Sequence, residues 1–338
     1  IVLYKPLTRF NMMKIVAFIV SLFLLAFTIP FIPNPNKPVL TEGSIINLYD
    51  AFGKDSSLTK DFGFSCITKY QGKTILFDAG SNADIFKRNV TALGIDLKSI
   101  DLVIISHGHF DHLNGLDYLL ALNPNVKIYF PYDIFWGAPV PFDATGQEPT
   151  VKDSLPMHMQ YFDGGSTKFF IKQSGRFWKA NIEFVKTSKE ILTGLNLIAT
   201  SSAYMGYFSC YPNKSFVEGQ FDHPKDECKQ TGLPELSLSM HTPKGDVLIV
   251  GCSHTGVENI IEETQKTTKA PTDLVYGGFH LLPFDRKQTI ELVSKIKNEL
   301  KVKRVAPAHC TGHLAFQLLQ KEYASNYLYA GLGEKINF

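Results

Sequence analysis

The 338-residue chain has little of what marks several familiar function classes. Its five cysteines, Cys66, Cys210, Cys228, Cys252 and Cys310, include no Cys-x-x-Cys pair, which argues against a structural zinc ribbon or a thioredoxin-like redox centre. No Gly-x-Ser-x-Gly elbow and no Gly-x-x-x-x-Gly-Lys-Ser/Thr loop occur, so a serine hydrolase and a P-loop nucleotidase are both disfavoured. Charge of either sign is not in excess: 34 Lys and Arg against 32 Asp and Glu leave a net charge of +2. That balance predicts no nucleic-acid groove and no polybasic membrane patch, and gives no electrostatic hint of the partner; the partner expected is a small-molecule substrate.

Hydrophobic residues make up 44% and charged residues 20%, enough apolar side chain for a large core and too little charge for general disorder. The apolar residues are not spread evenly. Residues 15–32, IVAFIVSLFLLAFTIPFI, carry no charge and follow Lys5, Arg9 and Lys14. Basic residues ahead of an apolar run are the layout of a secretory signal or a membrane anchor, and both readings stay open here. The prediction is an exported protein, periplasmic or secreted, or one attached to a membrane through residues 15–32. Pro33-Asn34-Pro35-Asn36-Lys37-Pro38 then reads as a linker, so residues 1–40 are set apart from a catalytic domain over 41–338. A Cys210–Cys228 bridge fits only an oxidising compartment. Asn89-Val90-Thr91 and Asn213-Lys214-Ser215 match the glycosylation triplet without proving its use.

From residue 44 the pattern becomes that of a layered α/β domain. Strands are predicted at Ser44–Tyr49, at Phe64–Tyr70 and Lys73–Phe77 around a Gln71-Gly72 turn, and at Asp101–Ser106 and Lys127–Phe130. Helices are predicted over Asp84–Leu93 and Leu113–Leu122. Residues 131–190 read as irregular, with strands at Asn181–Val185 and Leu195–Thr200, and 204–234 as a long loop. The whole of 131–234 is expected to fold over a pocket, since long loops in compact domains are usually functional. Strands return at Leu236–His241, Val247–Val250, Leu274–Tyr276 and Arg304–Ala306, with helices at Val257–Lys266, Lys287–Leu300 and Leu314–Tyr323. In the second of these, Ile290, Val293, Ile296 and Leu300 share one face. Strands followed by strand–helix alternation, twice over, predict an αββα sandwich: two mixed β-sheets flanked by helices.

The chemistry lies in His107-Gly108-His109-Phe110-Asp111-His112, which directly follows the apolar run Leu102-Val103-Ile104-Ile105. A tight loop leaving a buried strand aims His107 and His109 the same way, and Asp111 and His112 fall at the start of the next helix. Imidazole nitrogen and carboxylate oxygen are ligands that zinc takes at catalytic sites, and iron and manganese take them too.

This run resembles the His-x-His-x-Asp-His motif of the metallo-β-lactamase superfamily. The resemblance implies the metallo-β-lactamase fold and two divalent metal ions, zinc first with iron or manganese as alternatives. By it, His107 and His109 serve one ion, and Asp111 and His112 serve the other. Leu76-Phe77-Asp78-Ala79-Gly80 is similar to the family's strand ending in Asp-x-Gly, whose aspartate braces the metal loop, so Asp78 is the expected bracing residue. Five further stretches resemble the 7,8-dihydropterin synthase-like branch: Asp61-Phe62-Gly63-Phe64-Ser65, Ala92-Leu93-Gly94-Ile95-Asp96-Leu97, Gly251-Cys252-Ser253-His254, Gly277-Gly278-Phe279-His280-Leu281 and Pro307-Ala308-His309-Cys310-Thr311-Gly312. They imply His254 as a ligand to the first ion and His309 as a ligand to the second. Many family members carry Gly-Asp where this chain has Gly251-Cys252. Either Cys252 takes the bridging place of that aspartate, or a water or hydroxide bridges alone.

The expected activity is that of a metal-dependent hydrolase, with a hydroxide shared by the metals attacking an ester, lactone or phosphoester. Asp111 would hold that nucleophile, and His280 would protonate the leaving group or contact the substrate, with metal ligation as the remaining alternative. The alternatives are a phosphodiesterase or pterin-precursor synthase-like enzyme, an oxygen-handling di-iron protein, or an exported module that binds metal or ligand without turnover. His158, His223, His241 and His313 are predicted to lie outside the site.

Overall fold

The computed structural model describes residues 43–133, 140–143, 150–159, 168–171, 177, 179–209 and 229–338. The apolar run 15–32, the Cys210–Cys228 pair, the Asn213 triplet and His223 lie outside these residues. Among the described residues no helix is long and apolar enough to cross a membrane.

The chain opens with β1 (Ser44–Tyr49), β2 (Ser65–Tyr70) and β3 (Lys73–Phe77), an antiparallel meander whose β2–β3 turn is Gln71-Gly72. Helix α1 (Ala83–Ala92) follows, capped by Asn82, whose side chain accepts from the Asp84 and Ile85 amides. Strand β4 (Leu102–Ile104) runs parallel to β3, and the short helices α2 (Phe110–Leu113) and α3 (Leu116–Leu122) lead to β5 (Lys127–Pro131), parallel to β4. Then come β6 (Val140–Asp143), α4 (Thr150–Ser154), β7 (Lys168–Ile171), β8 (Ile182–Val185), β9 (Lys189–Leu192), β10 (Leu195–Ser209), β11 (Lys229–Thr242) and β12 (Gly245–Val250). Helix α5 (Val257–Thr268), β13 (Thr272–Gly278), α6 (Arg286–Ser294), β14 (Arg304–Ala308), α7 (His313–Tyr323) and β15 (Lys335–Asn337) complete the chain.

These strands form a seven-stranded sheet, order β15-β1-β2-β3-β4-β5-β8, and a six-stranded sheet, order β14-β13-β12-β11-β10-β9, with β6 and β7 pairing separately. Both large sheets are mixed. The alternation of each strand sends its two faces to different cores. On β12, Val247 and Ile249 point between the sheets, where they meet Ile45, Phe64, Phe77, Leu238 and Tyr276. Leu248 and Val250 point outward onto Ile260, Ile261, Val293 and Leu319 of the helices. On the other sheet Leu76 and Val103 point outward onto Phe86, Val90, Leu116 and Leu119. At about 1.5–3 kcal/mol for each fully buried aliphatic or aromatic side chain, these three clusters hold the layers together. The expected αββα sandwich is what is seen.

Several local expectations change. The region expected to be irregular contains regular strands: β10 extends to Ser209, and β11 begins at Lys229, inside what reads as a loop. Each strand is stabilised by its partner across the pair, a long-range effect that local composition does not carry. The helix expected over Leu113–Leu122 is two short pieces, broken around Gly115. A Cβ on that glycine would meet Phe86 Cγ at 2.8 Å, so the glycine serves the packing of α1 against this turn. The helix expected over Lys287–Leu300 ends at Ser294 and continues as one wider π-turn, Lys295–Glu299, and Ile290 is 49% exposed rather than on the buried face. Asn89 is buried, its amide donating to the Leu48 and Thr59 carbonyls, so the acceptor side chain of this triplet is sealed in the folded chain.

Candidate metal centre

The sandwich places the chemistry at one edge. Strands β3, β4 and β5 are parallel, as are β12, β13 and β14. Just past their C-terminal ends come Asp78 after β3, His107 after β4, Cys252 and His254 after β12, His280 after β13, and His309 after β14. The ends of parallel strands are where open α/β sheets present their loops to ligands. Four of the residues here, Asp78, Ser253, His280 and His309, take left-handed backbone with φ of 57°, 60°, 51° and 48°. Each such residue costs on the order of 1 kcal/mol, which the surrounding hydrogen bonds offset.

The ligand atoms gather into two adjoining groups. His107, His109 and His254 form one, and Asp111, His112 and His309 the other; within each group all the ligand atoms lie within 4.8 Å of one another. Cys252 joins His107 and His112 in a third such set, so its sulfur stands between the two groups. Every residue expected from the sequence to bind metal is therefore brought together. His280 is at the rim, with its ring 4.3 Å from that of His254 and its Nδ1 3.3 Å from Cys252 Sγ. His241 is remote and pairs with Asp246.

Asp78 fixes the orientation of this cluster. Its Oδ2 accepts from His112 Nδ1 at 2.7 Å and from Ser106 Oγ at 2.7 Å, and its Oδ1 accepts from the Ser106 amide at 2.7 Å. A carboxylate only accepts, so His112 carries its proton on Nδ1 and presents the lone pair of Nε2 inward. Ser106 Oγ donates its hydrogen bond to Asp78, so its 2.9 Å contact with His107 Nδ1 is a bond from the imidazole. His107 then also presents Nε2 inward, 2.9 Å from His109 Nδ1. One carboxylate thus sets the tautomer of two imidazoles. Gly251 belongs to the same arrangement, since a Cβ there would collide with Ser106 Oγ.

Two buried carboxylates that the sequence reading missed hold the other sheet's loops. Glu235, on β11, accepts from the His254 amide through Oε1 at 2.9 Å and from the Thr255 amide through Oε2 at 2.8 Å. Asp50, after β1, accepts from the His309 amide at 3.0 Å and from Asn47 Nδ2 at 2.9 Å. Neither lies in a histidine-bearing motif, and only the fold brings them in. A buried acidic residue flanked by strand residues, as in Pro234-Glu235-Leu236, is the one local signal that could have marked Glu235.

The electrostatics follow from burial and crowding. Burial pushes His107 well below the usual imidazole range, and the neighbouring charges of His112, His109 and His254 push it further. His254 is lowered in the same way, by burial and then by His280 and His109. Burial would raise Asp111, but His112, His309 and His109 outweigh it and hold the carboxylate well below its normal range. Burial lifts Asp50 to about 6 against the opposing pull of His309 and Asn47. Glu235 is raised too, again by burial, which the His254 and Thr255 amides only partly counter.

A cation fits this donor set. His112 Nε2 and both ring nitrogens of His254 and His309 are buried and make no hydrogen bond among the described residues. His309 Nε2 and His112 Nε2 reach Asp111 Oδ2 only at 3.4 and 3.6 Å, as charge contacts. An unpaired buried polar group costs about 1–3 kcal/mol. Several of them facing one carboxylate and one thiol form an N/O/S set of the type that binds divalent transition metals.

The family model of the metallo-beta-lactamase superfamily matches residues 61–165. The chain is 26% identical, over 86% of its own length and 94% of the relative's, to the 7,8-dihydropterin-6-methyl-4-(beta-D-ribofuranosyl)-aminobenzene-5'-phosphate synthase of Methanocaldococcus jannaschii. It also superposes, with a TM-score of 0.61 and 26% identity, on the crystal structure of Tm1679, a metal-dependent hydrolase of the beta-lactamase superfamily, covering 87% of this chain and 98% of that one. The matched segment contains the His-x-His-x-Asp-His run, and the chain has the metallo-β-lactamase fold.

Proposed function

We propose that the chain is a metal-dependent hydrolase of a small ester, lactone or phosphoester, holding two divalent ions, zinc before iron or manganese. His107, His109 and His254 would hold one ion, Asp111, His112 and His309 the other, with Cys252 between them. The observation that carries this reading is the set of buried, unpaired imidazole nitrogens facing Asp111. Bound ions would lower the pKa of water towards neutrality and polarise the carbonyl or phosphoryl oxygen. Asp111, kept ionised by its imidazole neighbours, accepts a hydrogen bond from the attacking water and aligns it. Half-buried His280, with Nδ1 engaged by Cys252, uses Nε2 to pass a proton to the leaving group. Phe62, its ring 4.9 Å from that of His309, and Phe110, 65% exposed beside His109, give the approach an apolar wall for the rest of the substrate.

The test is metal analysis of the purified chain together with a panel of p-nitrophenyl esters, phosphodiesters and lactones. Two ions per chain and metal-dependent turnover of one class are expected. His109→Ala should lower the stoichiometry towards one and reduce turnover by at least a hundredfold. Full stoichiometry in that variant would refute the ligand assignment.

A second reading rests on the similarity to the pterin-phosphate synthase, which extends over nearly all of that enzyme. Under it, the same centre takes a dihydropterin bearing a leaving group on its 6-methyl carbon and joins that carbon to a ribofuranosyl-aminobenzene phosphate as the leaving group departs and a proton is lost. Incubating the metal-loaded protein with these two compounds and looking for the joined product by mass spectrometry separates this reading from simple hydrolysis.

The N-terminal segment enters the proposal as an export signal or anchor. Fractionating cells that express the full chain, and sequencing the N-terminus of the mature protein, distinguishes cleavage after residues 15–32 from retention in the membrane.

A further inference from the structure

Cys310 belongs to no ligand group foreseen from the sequence, yet its sulfur lies 3.0 Å from that of Cys252. The two cysteines stand on loops after β14 and β12, which do not neighbour each other, because β13 runs between them. The sulfurs meet only because β13 ends in Gly278. A Cβ there would come within 2.9 Å of Cys310 Sγ and within 2.5 Å of the Gly251 carbonyl. The missing side chain opens a passage across the end of the strand, and the thiols face each other through it. Both sulfurs are buried and face the site: Cys252 shares a set with His107 and His112, and Cys310 shares one with Cys252 and His309.

We propose that Cys252 and Cys310 are a redox modification site: a peroxide joins them in a reversible disulfide that withdraws the Cys252 sulfur from between the two histidine groups. The step balances. One thiolate attacks a peroxide oxygen, giving a sulfenic acid and water, and the second thiol then attacks that sulfur and expels another water. Two thiols are oxidised by two electrons and one hydrogen peroxide is reduced to two waters. The sulfurs need to close from 3.0 Å to a bond of about 2.05 Å. The part of the inference that concerns metal rests on the function proposed above, because it takes Cys252 to be a ligand.

The experiment treats the full purified chain with hydrogen peroxide, alkylates the remaining thiols and maps the peptides. The expected result is a cross-linked pair of peptides containing Cys252 and Cys310, reversed by dithiothreitol. Zinc added beforehand should slow its formation at least tenfold. In Cys310→Ser, Cys252 should instead be carried to sulfinic acid, and dithiothreitol should no longer restore the thiol. If Cys252 and Cys310 are both recovered as free thiols while Cys66 or another cysteine reacts, the modification site is refuted. Cross-linking that zinc does not slow overturns the competition with metal. Metal stoichiometry of the reduced protein, measured separately, decides the ligand reading by itself, so the two failures are told apart.

Discussion

The two sheets build their shares of the centre in opposite ways. The seven-stranded sheet delivers His107, His109, Asp111 and His112 in one short run after β4 and braces it by a side chain acting on a ring: Asp78 on His112, and through Ser106 on His107. The six-stranded sheet delivers Cys252, His254, His280 and His309 from three separate loops and braces them by carboxylates acting on backbone amides: Glu235 on residues 254 and 255, with Asp50 reaching across from after β1 to 309. A ring-directed brace controls tautomer as well as position. An amide-directed brace controls position alone. The difference predicts that damage to the first propagates to both proposed ion sites, and that damage to the second stays local.

The largest effect should come from Asp78→Asn. The amide's nitrogen or its oxygen must turn towards His112 Nδ1, and neither choice satisfies both Ser106 and His112. Outer carboxylates of this kind are worth about 10–100-fold in metal affinity. We expect the top of that range, with both ions affected, measured by zinc competition against a chromogenic chelator. An effect confined to one ion would break the proposed contrast.

Next in size is Glu235→Ala, which strands two buried amides. Hydrogen bonds to charged groups contribute about 1.5–3 kcal/mol each, offset in part by the cost of burying Glu235, so a net loss of about 2–3 kcal/mol is expected in a thermal or urea melt. The ion held by His254 should bind about tenfold more weakly while the other is unchanged. Equal weakening of both ions would show that the loop after β12 supports the whole centre.

The same contrast explains what was legible in the sequence. The run from His107 to His112 sits on one loop, so spacing alone exposes it, and Asp78 is readable because it closes a strand in a fixed motif. His254, His280 and His309 are each a lone histidine, visible only through the short family-like stretches around them. Asp50 carries no local mark and Glu235 only its place between strand residues, because what they do depends on loops that are distant in sequence. The fold followed the same rule. The alternating strands β1 to β3 and the buried runs at β4, β12 and β13 were readable from pattern. The far halves of β10 and β11 were not: among residues 201–209 and 229–235, polar side chains and glycine interrupt the alternation, and pairing between the two strands sustains them.

The smallest effect on metal binding, and the one that sharpens the contrast most, is expected of Asp50→Asn, whose signature is a pH dependence of stability. Burial lifts the Asp50 carboxyl from an ordinary 3.8 to about 6 in the folded chain. Below about pH 4 the group is protonated in both states and has no influence on the pH dependence. Between about 4 and 6 the unfolded chain ionises while the folded chain resists, so folding stability falls as pH rises, by up to about 3 kcal/mol once the folded group has also ionised. The asparagine variant lacks this loss. It should be less stable than the parent at pH 4, because one acceptor position becomes an NH2 facing the His309 or Ala51 amide. The deficit should shrink or reverse by pH 7. Thermal melts of the chelator-treated proteins at pH 4, 5, 6 and 7 read this directly. A variant-to-parent difference that stays constant over that range would mean that Asp50 is already ionised throughout, and that the amide brace at His309 is as strongly charged as the ring brace at His112.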